Sequence, residues 1–158
     1  MNWDDYSFNL CSAVAAKSKC LSRQIGCIIT REHTLLSTGY NGPPRGYPHC
    51  EGICPRKKQE GYQSGMNLET CPAAHAEQNA IAQAARSGVS VEGATLYLNS
   101  CLPCKACMAL IINAGIKTVN CSEEGIYDGL GLMMAKQCNI AIIQKGKLKI
   151  YSDFMKGE

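Results

Sequence analysis

Two short stretches constrain this chain more than anything else in it: Cys71–Asn79, CPAAHAEQN, and Pro103–Cys107, PCKAC. The first carries His75 and, two residues on, Glu77. The second carries Cys104, 29 positions after His75, and Cys107. One imidazole and two thiolates are three suitable ligands for a tetrahedral zinc whose fourth position stays open to water. A glutamate beside such an ion, but not bound to it, can move protons. Taken singly, these residues have plainer readings: a redox pair or half a zinc ribbon for C-x-x-C, a structural histidine for His75, a solvated helix residue for Glu77. Their combination requires a fold that brings the two stretches together.

At 158 residues the chain reads as a single domain, 1–158, large enough to bury a core. No segment approaches the uncharged apolar length of a membrane span. The start, MNWDDYSF, has neither the basic residues nor the apolar run of an export signal, so the expectation is a cytoplasmic protein without a membrane partner. Eleven cysteines in such a chain point to metal ligands more than to disulfides. The net charge of +3 is scattered, apart from Arg56-Lys57-Lys58 and the alternating Lys145, Lys147 and Lys149. That suits small anionic ligands and lacks the basic stripe of a nucleic-acid footprint.

Apolar residues at three- and four-residue steps predict a helix over Asp4–Lys17. Gln24–Thr30 and Thr34–Thr38 read as a hairpin, followed by the turn-rich loop Gly39–Gly46. Tyr47–Thr70 shows little periodicity and reads as a functional or metal-stapled insert, spanning about 47–71 with its cysteines. The alternation then becomes regular: a helix from His75 to Ser87, a strand at Ala94–Asn99, a helix from Cys104 to Gly115, a strand at Ile116–Cys121, a helix at Leu130–Gln137, a strand at Ile140–Gln144 and a short strand at Leu148–Tyr151. This order predicts a mixed sheet between helical layers. Both ligand motifs open helices, whose N-terminal field favours thiolates.

H-x-E followed by P-C-x-x-C is the pattern of zinc-dependent nucleobase deaminases. With it, SKCLSRQIGC (Ser18–Cys27), STGYNGPPRG (Ser37–Gly46), HAEQNAI (His75–Ile81), GATLYL (Gly93–Leu98) and INAGIKTV (Ile112–Val119) resemble the deoxycytidylate deaminases of the cytidine deaminase superfamily. The resemblance implies an α/β fold of three layers, α/β/α, with a five-stranded mixed sheet. It implies hydrolysis of dCMP to dUMP and ammonia, a homohexamer, activation by dCTP and inhibition by dTTP, with Mg accompanying the nucleotide effector.

Residue by residue, it implies His75, Cys104 and Cys107 as zinc ligands and Glu77 as acid and base. Asn41 matches a sugar contact, the alternative being a turn residue at positive φ. Ser22 and Arg23 fall at the phosphate position, the alternative being an ordinary polar loop. Gly39, Tyr40, Gly42 and Arg45 fall in the effector segment. Cys20, Cys50, Cys54 and Cys71 are candidates for a second, structural zinc, with His49 as an alternative ligand and small buried thiols as the plain alternative. LNSCLP is one residue longer than the family's usual stretch, and it makes Cys101 a competing ligand. Two other functions fit parts of the pattern. A tRNA adenosine deaminase would share the zinc core, but its path from the asparagine to HAE is short, whereas 33 residues lie between Asn41 and His75 here. A non-catalytic zinc module that binds nucleic acid would have no need of Glu77.

Overall fold

The computed structural model describes residues 1–150. Its first strand, β1 (Gly26–Arg31), turns back into β2 (Thr34–Tyr40) through Glu32 and His33, whose φ values of 50° and 65° give the two-residue turn that matches strand twist. Helix α1 (Trp3–Ala15) precedes the hairpin and is capped by Asn2, whose side chain accepts from the Asp5 amide. After the insert come α2 (Ala76–Arg86), β3 (Thr95–Leu98), α3 (Lys105–Asn113), β4 (Thr118–Cys121), α4 (Gly129–Gln137), β5 (Ala141–Gln144) and β6 (Lys147–Ile150).

The sheet order is β2-β1-β3-β4-β5-β6. β1 is antiparallel to both β2 and β3, while β3, β4 and β5 run parallel. Among the described residues the sheet therefore has six strands where the resemblance implies five. The additional strand follows a tight turn at Lys145 and Gly146, with φ of 47° and 70°, and returns antiparallel along β5. Tyr151, assigned to that strand from sequence, lies outside the described residues.

Side-chain alternation sorts the layers. Leu96 and Leu98 of β3, Val119 of β4 and Ile142 of β5 face Ala80, Met108, Ile111 and Ala135 of α2, α3 and α4. On the opposite face Ile28 and Tyr97 meet Cys11, Phe8 and Val14 of α1, with the Phe8 and Tyr97 rings edge to face at 5.5 Å. The alanines of α2 let it lie close on β2: a Cβ at Gly39 would stand 2.2 Å from the Ala80 amide nitrogen. No helix among the described residues is long and apolar enough to cross a membrane. The ends of β2, β3 and β4 and the start of β1 lie on one edge of the sheet, and ligand sites in α/β folds favour the carboxyl ends of such strands.

Candidate active site

At that edge α2 and α3 begin next to each other. His75 and Cys104 are their N-cap residues, both extended, with ψ of 158° and 166°. Cys107 lies one turn into α3, on the same face as Cys104. His75 Nδ1 stands 3.3 Å from Cys107 Sγ and 3.6 Å from Cys104 Sγ. A zinc at ~2.1 Å from nitrogen and ~2.3 Å from sulfur sets those atoms about 3.6 Å apart at the tetrahedral angle, so these three residues fit the ion. Among the described residues, they are the one group of three or more candidate ligands whose ligating atoms all lie within 4.8 Å of one another. Cys101 and Glu77 are not part of it.

The two sulfurs shift each other's titration in opposite directions. The hydrogen bond from Cys107 pulls the Cys104 thiol down to about 4, burial opposes this, and His75 adds to the lowering. Cys107 is pushed up because it donates that bond and is buried. His75 is raised, first by its bond with Cys104. Burial raises the Glu77 carboxyl above the ordinary glutamate range. Glu77, the one buried charged residue among the described residues, is a carboxyl able to hold and release a proton.

His75, Glu77 and Cys104 line the inner end of a cavity of about 200 Å³, floored by Ala76 and Leu98. Cys101 lies on its wall. Within LNSCLP, Leu102 pairs with Ile126 and its amide donates to the Gly125 carbonyl. Asn41, Ser22 and Arg23 line the outer part. Asn41 is not at positive φ, so the turn alternative does not apply. Its Oδ1 accepts from the Ile25 amide and its Nδ2 donates to the Arg23 carbonyl, both at 2.8 Å. One N–H and one lone pair remain for another partner. Arg23 is committed elsewhere: its guanidinium holds both carboxylate oxygens of Glu123 at 2.8 Å.

The model of the cytidine and deoxycytidylate deaminase zinc-binding region matches residues 1–123. The chain belongs to this family. It is 38% identical over 144 residues to a deoxycytidylate deaminase of Saccharomyces cerevisiae, covering 90% of this chain and 45% of the yeast protein. It is 36% identical to that of Mycobacterium phage D29, covering 78% of this chain and 96% of the phage protein. The chain thus spans less than half of its yeast relative and aligns with nearly all of the phage one. In structure it is similar to the dCMP deaminase of cyanophage S-TIM5 solved with dCMP and dUMP, with a TM-score of 0.71, 26% identity, and coverage of 89% of this chain and 94% of that one.

Three residues at this deaminase-family site escaped the sequence reading. Arg56, from the insert, lines the outer cavity. Its guanidinium lies 5.7 Å from the Tyr62 ring centroid and its Nε donates to the Met66 carbonyl. Among the described residues it has no carboxylate partner. Tyr127 sets its ring 6.5 Å from that of His75, at 62°. Asp128 caps α4 and also accepts from the Lys105 amide. A Tyr-Asp pair just before an apolar helix was the available signal for the last two. Nothing periodic marks Arg56.

Four of the other cysteines lie near one another. Cys50 is raised by burial and then by the nearby sulfurs of Cys54, Cys71 and Cys20. Cys20 and Cys71 also line the cavity. The four share a neighbourhood without the close spacing of the first set. His49 lines a second cleft, with Gly39, Tyr40, Gly42 and Arg45. There Arg45 donates to Gln83 Oε1 at 2.8 Å.

Proposed function

We propose that this chain is a zinc-dependent dCMP deaminase, converting dCMP and water to dUMP and ammonia. The observation that carries the proposal is one cavity joining the His75, Cys104 and Cys107 ligand set and buried Glu77 to Arg56, a cation without a carboxylate partner among the described residues. His75, Cys104 and Cys107 would hold zinc, whose Lewis acidity makes water nucleophilic near neutral pH. Glu77 takes a proton from the attacking water. It delivers protons to ring N3 and then to the departing amine as the C4–N bond breaks and a C4–O bond remains. The free N–H and lone pair of Asn41 face a sugar hydroxyl. Ser22 contributes a hydroxyl at the rim, and Arg23, paired to Glu123, shapes the rim. Arg56 supplies the charge that selects a 5′-phosphate.

The reading extends to regulation. The cleft containing Gly39, Tyr40, Gly42 and Arg45 would take dCTP as activator, with Mg, or dTTP as inhibitor, in a cytoplasmic homohexamer. Cys20, Cys50, Cys54 and Cys71 would close on a structural zinc. The proximity of their sulfurs supports a four-cysteine set.

The test compares kcat/KM for dCMP, deoxycytidine, dCTP and an adenosine-containing RNA hairpin. dCMP should exceed deoxycytidine by roughly tenfold to a hundredfold, the value of a charged hydrogen bond of about 1.5–3 kcal/mol. Arg56→Ala should remove most of that advantage and leave deoxycytidine turnover near wild type. Equal efficiency for nucleoside and monophosphate, or preference for the hairpin, overturns the substrate assignment. dCMP saturation curves with each effector, read alongside elution volume, test the regulation: curves that neither effector moves, from a monomer, refute it.

A further inference from the structure

The N-cap residue of α3 is Cys104, which makes no side-chain capping bond. Without that bond, the free amides at the start of the helix need an acceptor from elsewhere. Asp128 provides it. Its Oδ2 accepts from the Lys105 amide at 2.8 Å, while its Oδ1 accepts from the Gly131 amide at 2.7 Å and caps α4. One carboxylate thus serves two helix N-termini, where negative charge is favoured. The contact is close on both sides: a Cβ at Gly131 would stand 2.9 Å from the Pro103 carbonyl oxygen and 3.2 Å from the Lys105 amide nitrogen. The preceding residue, Tyr127, is the one whose ring meets His75. A single short segment therefore reaches both arms of the ligand set.

We propose that Asp128 is a positioning residue for the metal site. By holding the Lys105 N–H, it fixes the first turn of α3 and so the direction in which Cys104 and Cys107 present their sulfurs to His75 Nδ1. The proposal rests on the zinc site, and not on which base is deaminated. Its test reads zinc retention, so it can fail while deamination of dCMP stands, and the reverse.

Asp128→Asn separates the two bonds. Asparagine caps a helix as well as aspartate does. It has one acceptor oxygen in place of two, so α4 keeps its cap and the Lys105 amide loses its acceptor. Three quantities are measured on zinc-loaded protein: the rate of zinc release to a chromogenic chelator, the thermal midpoint, and kcat and KM separately. Loss of a residue that orients metal ligands costs roughly tenfold to a hundredfold in metal affinity or activity. Asp128→Asn should release zinc faster by that factor, with a fall in kcat but not in the KM for dCMP and a midpoint lowered by no more than the lost zinc affinity accounts for. Gly131→Ala, pressing on Pro103 from the other side, should speed release as well. The control is Asn2→Ala, which removes the α1 cap far from the site and should lower the midpoint without changing release. If Asp128→Asn does not fold, Asp128→Ser carries the same test, since a hydroxyl caps α4 with a single oxygen. Zinc release at the wild-type rate in the folded Asp128 variant, or equal acceleration in Asn2→Ala, overturns the proposal.

Discussion

The inner and outer halves of the cavity are held by different means. The inner half places His75, Glu77, Cys104 and Cys107 on the first turns of α2 and α3, and the same helices bury Ala80, Ala84, Met108 and Ile111 against the sheet. The outer half draws Arg56, Tyr62 and Ser64 from an insert with two single turns of 3-10 helix, Pro55–Lys57 and Leu68–Thr70. Between Tyr47 and Thr70 only Cys54 is buried. There the chain is tied by local bonds: Arg56 Nε to the Met66 carbonyl, Asn67 Nδ2 to the Arg56 carbonyl, and Thr70 Oγ1 to the Asn67 carbonyl. The difference assigns the labour. On the proposed function, bond-making groups that must be placed within fractions of an ångström would stand on core-anchored helices. Groups that would choose among substrates would stand on a surface segment whose sequence is free of core packing.

This division can be broken most sharply at Cys104. Cys104→Ser removes one ligand of three from an element that the core still holds. Ammonia release should fall to the detection floor while the far-ultraviolet circular dichroism stays that of the wild type. Turnover within tenfold of wild type would show that the inner half is not the reacting site. In stability the contrast should run between Met108 and Leu68. Met108 is fully buried beneath α3, and Met108→Ala should cost about 2–5 kcal/mol in urea unfolding. Leu68 is 45% exposed in the insert, and Leu68→Ala should stay within about 0.5 kcal/mol. Comparable losses would mean that the insert belongs to the core after all. The last contrast is at Cys54. Cys54→Ser should lower the zinc content from two per chain to one and open the insert to limited proteolysis, and the catalytic zinc should stay. One zinc in fully loaded, active wild-type protein would mean that the insert is held without metal.

The inner half was largely legible in the sequence because its information is local. Two ligand motifs at helix starts, with a one-turn spacing between Cys104 and Cys107, define both the elements and the side chains that meet. Helix and strand periods located the other elements, and the errors lie at their ends, where caps decide. The helix expected over Asp4–Lys17 begins at Trp3 because Asn2 caps it, and the one expected from Leu130 begins at Gly129 because Asp128 does. The outer half was not legible, because long-range pairing decides it. Arg23, read as a phosphate ligand, meets Glu123, 100 positions away. Arg56 was seen only as part of a basic run, since an insert without periodicity does not reveal which of its residues turn inward. Asn41 was placed at the site by its motif, but its two bonds to Arg23 and Ile25 appear only in three dimensions.

On the proposed function, buried Glu77, beside but outside the ligand set, moves the protons of dCMP deamination. The most direct measurement is ammonia and dUMP formed from dCMP by zinc-loaded wild-type protein and by Glu77→Gln at equal zinc content. The account predicts one ammonia per dUMP from the wild type, and a loss of about 10²–10⁴-fold in kcat for the variant with zinc and unfolding midpoint unchanged. No ammonia from the zinc-loaded wild type, or turnover by Glu77→Gln close to it, would contradict the account.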